Sequence, residues 1–136
     1  MKIMVTGAGG FVGSRLAAYY GKKYDVWGVT HKDLDLTNEA AVFKTVENYH
    51  PDVLIHCAAI SDVAECSKKP ELSHAVNVLG MEYLAKACGK TGTKLVMCSS
   101  DQVYFRKRGE QESLDAYLEP HRELSLIHIS EPTRRR

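Results

Sequence analysis

The stretch Lys2-Ile3-Met4-Val5-Thr6-Gly7-Ala8-Gly9-Gly10-Phe11-Val12-Gly13 constrains this chain more than any other. A short apolar run enters glycines at positions 7, 10 and 13, and a segment of helical character follows. A strand that turns on glycine into a helix makes a bed for a dinucleotide pyrophosphate. Gly7 permits the tight turn, Gly10 lets backbone approach the phosphates, and Gly13 lets the helix pack close to the sheet. Gly9, Phe11 and Val12 complete the segment, whose helix N-terminus offers free N–H groups to an anion. A glycine turn with no ligand is the plain alternative.

Composition limits the rest. With 44% hydrophobic residues in 136, the chain has enough apolar material for about one domain. A formal charge of +1 gives no reason to expect nucleic acid or an anionic membrane as partner. Met1 to Gly10 is too short and glycine-rich for a signal peptide, and no run reaches spanning length, so the chain reads as cytoplasmic. Cys57, Cys66, Cys88 and Cys98 form no Cys-x-x-Cys pair. Neither a metal site nor a redox pair is expected, and all four read as thiols acting as small buried hydrophobes.

Apolar runs and helical periods alternate along the chain. Residues 3–6, 25–30, 53–55 and 94–98 read as strands, while 11–20, 38–49 and 70–88 read as helices. Thr37 is the expected N-cap of the second helix, Pro51 follows its end, and Pro70 opens the third. This alternation selects an α/β fold with a doubly wound parallel sheet.

The last segment breaks the pattern. Residues 124–136 begin Leu-Ser-Leu-Ile-His-Ile-Ser-Glu-Pro-Thr-Arg, which resembles the in-frame translation of a transposase adapter used in preparing DNA sequencing libraries. The competing account is a real strand with an arginine tail. Without this segment 15 basic and 16 acidic residues remain, and the basic end needs no functional role. Residues 1–123 then read as an incomplete N-terminal nucleotide-binding portion, and 124–136 as a non-native tail.

Five motifs occur in a telling order: the glycine segment from Thr6, Asp35-Leu36-Thr37, His56-Cys57-Ala58-Ala59, Asn77-Val78-Leu79-Gly80 and Ser99-Ser100-Asp101-Gln102-Val103-Tyr104. Together, over residues 1 to about 120, they resemble the extended short-chain dehydrogenases, and within these the dTDP-4-dehydrorhamnose reductase branch. The resemblance implies a Rossmann-type sheet, truncated here, and an NAD(P)-dependent reductase acting on a keto group of a nucleotide-linked sugar.

It also implies roles. Asp35, with Leu36 beside it, corresponds to the residue that meets the adenine amino group. A loop aspartate capping the next helix is the equal alternative. Cys57, Ala58 and Ala59 follow a buried strand at the carboxyl edge of the sheet, where small side chains leave room for the cofactor ribose, or simply for tight packing. Asn77 interrupts an apolar helix, and its counterpart braces the active-site backbone. Ser100 matches the hydroxyl that bonds the substrate carbonyl, and Asp101 and Gln102 point to substrate contact in the same loop. A strand-end serine in a turn is the plain reading of Ser100.

A tyrosine with a lysine four residues later should follow Ser100 in such a reductase, donating a proton to the carbonyl. None does: Tyr104 is paired with Arg108 and Tyr117 with His121, while Tyr19 and Lys23 have the spacing at the end of the first helix. The chain alone is therefore expected to bind part of a cofactor and to catalyse nothing. Cofactor choice leans to NADP over NAD, because Thr30-His31-Lys32 carries no carboxylate until Asp33, and Thr30 and Lys32 suit a 2′-phosphate. A solvated loop lysine is the alternative. The competing function is a non-catalytic NADP-binding subunit, since the regulatory beta subunit of methionine adenosyltransferase has a similar His-Cys-Ala-Ala motif. Epimerase and dehydratase variants of the same fold also stay open, as does a homodimeric parent.

Overall fold

Strands β1 (Lys2–Thr6), β2 (Asp25–Val29), β3 (Val53–His56) and β4 (Lys94–Met97) form a sheet in the order β2-β1-β3-β4, with every neighbouring pair parallel. The structure is a computed structural model that describes residues 1–99, and Met1–Met97 make one compact unit.

Parallel strands need crossovers, and here helices cover both faces. Side chains of β1 alternate between them. Ile3 and Val5 join Ile55 against Leu16, Ala17 and Tyr20 of α1 (Phe11–Tyr20). Met4 joins Val29 and Leu54 against Val42 and Val46 of α2 (Glu39–Tyr49) and Leu84, Ala87 and Cys88 of α5 (Gly80–Thr91). Burial on both sides explains why the strands read as nearly continuous apolar runs. Gly28 lets the turn before α1 approach β2, since a Cβ there would lie 2.9 Å from the Ala8 side chain, with Ala17 of α1 at 3.6 Å. The Rossmann-type doubly wound arrangement expected from the sequence is present. Because β1 has β2 on one side and β3 on the other, the winding reverses between β1 and β3, and a crevice opens at their carboxyl ends.

Three local expectations are corrected. Asn38, not Thr37, caps α2: its side chain accepts the Ala41 N–H at 3.0 Å. Thr37 is drawn instead into a side-chain turn on Asp35. The single helix expected from Pro70 is α4 (Pro70–His74), a π-helical turn (Ala75–Leu79) and then α5, preceded by α3 (Val63–Lys68), which the periodicity did not reveal. Asp62 caps α3 by accepting the Glu65 N–H, and Pro70 separates it from α4. The cysteines differ too. Cys88 is buried, Cys57 and Cys66 are half-buried, and Cys98 is exposed. Ser100, Asp101, Gln102 and residues 124–136 lie outside the described residues.

Candidate functional site

An open groove of about 850 Å³ lies over the carboxyl ends of β1, β2 and β3. Its floor is the turn from β1 into α1. Gly7 has φ +70, and a Cβ on it would sit 2.7 Å from the Ala58 nitrogen, so both conformation and space exclude a side chain. Gly13 is buried, and a Cβ there would overlap the Gly7 carbonyl. Gly13 thus lets the first turn of α1 close on the glycine turn at the end of β1. Gly9 and Gly10 are different. A Cβ on Gly10 would meet only the Gly7 oxygen at 3.3 Å, and one on Gly9 only Thr30 Cγ2 at 3.8 Å. The contact at Gly10 is tight, whereas internal packing does not demand glycine at position 9, and both residues face the groove.

The first turn of α1 has neither a side-chain cap nor an acidic residue. Intrahelical geometry leaves its first N–H groups without helical partners, and its dipole favours an anion there. Phe11 is exposed, with the Arg15 guanidinium 3.6 Å over its ring, and Val12 is exposed beside it. Ala58 and Ala59 line the facing side with Cys57.

Beneath these loops Thr6 Oγ1 and His56 Nδ1 share a buried hydrogen bond of 2.7 Å. Burial lowers the imidazole pKa to about 4, so His56 is neutral near pH 7.

At the β2 rim, Thr30 donates its N–H and hydroxyl to Asp33 Oδ2 at 2.8 and 2.7 Å. The Thr30 hydroxyl bond is the main reason the Asp33 carboxyl is held below its usual range. Thr30 therefore lines the groove with its proton already directed to Asp33, leaving His31 and Lys32 as the basic groups at this rim. Asp35 Oδ1 accepts from the Thr37 N–H at 2.9 Å and hydroxyl at 2.7 Å, and the hydroxyl chiefly lowers its pKa. Asp35 closes its own turn rather than capping α2.

Residues 1–123 match the family described as RmlD substrate binding domain. The chain belongs to that family. Among curated relatives of this RmlD-family chain, the dTDP-4-dehydrorhamnose reductase of Mycobacterium tuberculosis (strain CDC 1551 / Oshkosh) is 36% identical over 104 residues, 76% of this chain and 34% of the relative. The methionine adenosyltransferase 2 subunit beta of Xenopus laevis is 32% identical over 137 residues, 93% of this chain and 37% of the relative. A solved dTDP-4-dehydrorhamnose reductase from Bacillus anthracis str. Ames, in complex with NADP, superposes with a TM-score of 0.71 at 34% identity, covering 75% of this chain and 37% of that one. The chain spans about a third of the length of the first curated relatives it matches.

Of the residues the sequence singled out in this RmlD-family chain, Gly7, Gly9, Gly10, Thr30, Lys32, Asp35, Leu36, Cys57, Ala58 and Ala59 meet around one groove. Phe11, Val12, Gly13 and Asn77 are not part of its lining. Asn77 stands behind it, bonded directly to Ile60 at both ends of its carboxamide. Cys66 Sγ donates to the same Ile60 carbonyl at 3.3 Å. Sequence reasoning missed Ile60, Glu65, Leu72 and Val76, which close the far wall. Leu72 and Val76 are four residues apart after Pro70, but helical periodicity cannot tell a groove-facing pair from a core pair. Tyr19 and Lys23 lie exposed at the far end of α1 from the glycine turn, as a solvated helix end should.

Proposed function

We propose that this chain is the dinucleotide-binding N-terminal portion of an NAD(P)-dependent reductase acting on a keto group of a nucleotide-linked sugar. The carrying observation is that Gly9 and Gly10 face the groove at an uncapped helix N-terminus, where Gly9 in particular meets nothing inside the fold that requires glycine. The first-turn amides of α1 hold the pyrophosphate, and Ala58 and Ala59 leave space for a ribose. Asp35 accepts from the adenine amino group, and Lys32 meets a 2′-phosphate, which favours NADP over NAD. The NADP named with the Bacillus anthracis structure supports that preference.

The chemistry such a cofactor supplies when bound is hydride for a carbonyl carbon. Ser100 is assigned to hydrogen-bond that carbonyl oxygen and stabilise charge developing on it, with Asp101 and Gln102 contacting the sugar nucleotide. Residues 124–136 are proposed to be adapter-derived. The match to the RmlD family ending at residue 123 supports that boundary. Among the described residues no helix is long and apolar enough to cross a membrane. A cytoplasmic, homodimeric parent completes the proposal.

Titration calorimetry of the chain with NADP and NAD tests the binding half. Measurable NADP binding, weaker than that of the full-length parent, is expected, and no heat with either nucleotide refutes it. Sequencing the parent gene past codon 123 and assaying its product for NADPH oxidation with a dTDP-4-dehydro sugar tests the reaction. The second reading, a non-catalytic NADP-binding subunit, draws on the identity with the Xenopus laevis beta subunit. A parent without Tyr-x-x-x-Lys after residue 120, and without turnover, favours that reading.

A further inference from the structure

The groove is built on two loops that leave adjacent parallel strands. Thr6 and His56 are register partners at the ends of β1 and β3, and each is followed directly by one of those loops. One residue beyond them, Gly7 lies so close to Ala58 that a Cβ would sit 2.7 Å from its nitrogen. One backbone bond, Cys57 N–H to the Thr6 carbonyl at 3.2 Å, also joins the two segments.

The register pair two positions back on the same face, Met4 and Leu54, is fully buried and apolar. Thr6 and His56 are 2% and 4% exposed, so two polar side chains occupy a place where an apolar pair would fill the core at no desolvation cost. A hydrogen bond differs from an apolar contact in being directional, which fixes separation and orientation together. The imidazole stays neutral because it is desolvated, so the contact is a neutral hydrogen bond rather than an ion pair.

We infer that the 2.7 Å Thr6–His56 hydrogen bond sets the spacing between the glycine turn and the Cys57–Ala59 loop, making both residues positioning residues for dinucleotide binding, an assignment that rests on the proposed cofactor site. His56 does not line the groove, and Thr6 borders it with its hydroxyl bonded to His56. They act by holding the two loops at the distance a pyrophosphate and ribose require.

The test uses the full 136-residue chain. Thr6→Val keeps shape and removes the hydroxyl, Thr6→Ser restores it, and His56→Gln keeps a hydrogen-bonding group at a changed reach. The readouts are NADP and NAD affinity by calorimetry, urea midpoint, and amide exchange at Ala8 and Cys57 compared with Val42 and Val46. Thr6→Val is expected to weaken NADP binding about tenfold, the size of one lost buried hydrogen bond. Exchange should rise at Ala8 and Cys57 but not at Val42 and Val46, with Thr6→Ser returning both to wild type. Unchanged affinity with unchanged local exchange overturns the assignment, as does exchange rising equally at Val42 and Val46. If Thr6→Val does not fold, the same comparison is read from His56→Gln against wild type. If the wild-type chain binds neither nucleotide, the cofactor reading fails by itself, and local exchange decides whether the bond spaces the loops.

Discussion

Asn77 gives both ends of its carboxamide to Ile60: its Oδ1 accepts the Ile60 N–H at 2.8 Å and its Nδ2 donates to the Ile60 carbonyl at 2.9 Å. The pairing holds the loop after β3, of which Ile60 lines the groove, against the π-helical turn that carries Asn77. Such turns insert one residue into a helix and redirect a side chain that regular α geometry would place elsewhere. Asn77→Ala strips the partly buried Ile60 N–H of its partner and leaves the Ile60 carbonyl with the Cys66 thiol. A loss of about 1–3 kcal/mol in the urea unfolding free energy is expected. Asn77→Asp, which keeps the acceptor and loses the donor, should fall between Ala and wild type.

Gly7 and Gly10 separate folding from binding. Gly7→Ala forces a Cβ into left-handed backbone and against Ala58, so a cost of about 3 kcal/mol is expected. Gly10→Asp should cost less stability than Gly7→Ala, since its Cβ would press only on the Gly7 carbonyl oxygen at 3.3 Å. Gly10 is the N-cap of α1 in extended conformation, a position that favours aspartate. The same carboxylate stands where the pyrophosphate is proposed to lie, so Gly10→Asp in the full-length parent should abolish NAD(P)H binding. Equal affinity by calorimetry would contradict the placement.

Stability should fall in acid, beginning above the carboxylate range. The folded pKa of His56, about 4, lies below the unfolded value of 6.5, so the unfolded chain takes up the proton more readily. The contribution is complete above pH 6.5 and is lost as pH falls towards 4, a change on the order of 3 kcal/mol. Asp33 and Asp35 have lowered pKa values, so what they contribute disappears only at still lower pH, below their ordinary value of 3.8. Urea midpoints measured from pH 7.5 to 4.5 check this. His56→Gln should flatten the decline over that interval.

Deleting residues 124–136 is expected to change the unfolding free energy by less than about 1 kcal/mol, within the range of a tolerated surface change. A larger drop would mean that the segment packs and that the adapter reading is wrong.

The parallel sheet, the glycine turn and the order of the groove loops were legible in the sequence, because each follows from local periodicity or from a residue type with a single steric use. Gly7 is the clear case: a left-handed turn after a strand admits little else. The end of α2 was legible because Pro51 cannot continue a helix, and the structure ends it at Tyr49. The sequence also flagged Asn77 as a polar residue needing a partner, but not which one, because Ile60 is brought to it by folding across seventeen positions. Thr30, Asp33, Asp35 and Thr37 each had several short-range options, and the tertiary arrangement of the β2 rim selected among them. Where the Pro70 helix breaks into α4, a π turn and α5, Gly80 lies against Leu36, a contact no window of sequence contains. The Thr6–His56 bond likewise exists only because β1 and β3 lie side by side in register. What the sequence determines is the set of local conformations and apolar faces. Which polar groups meet is decided by strand order and helix packing, since those place residues far apart in the chain within hydrogen-bonding reach.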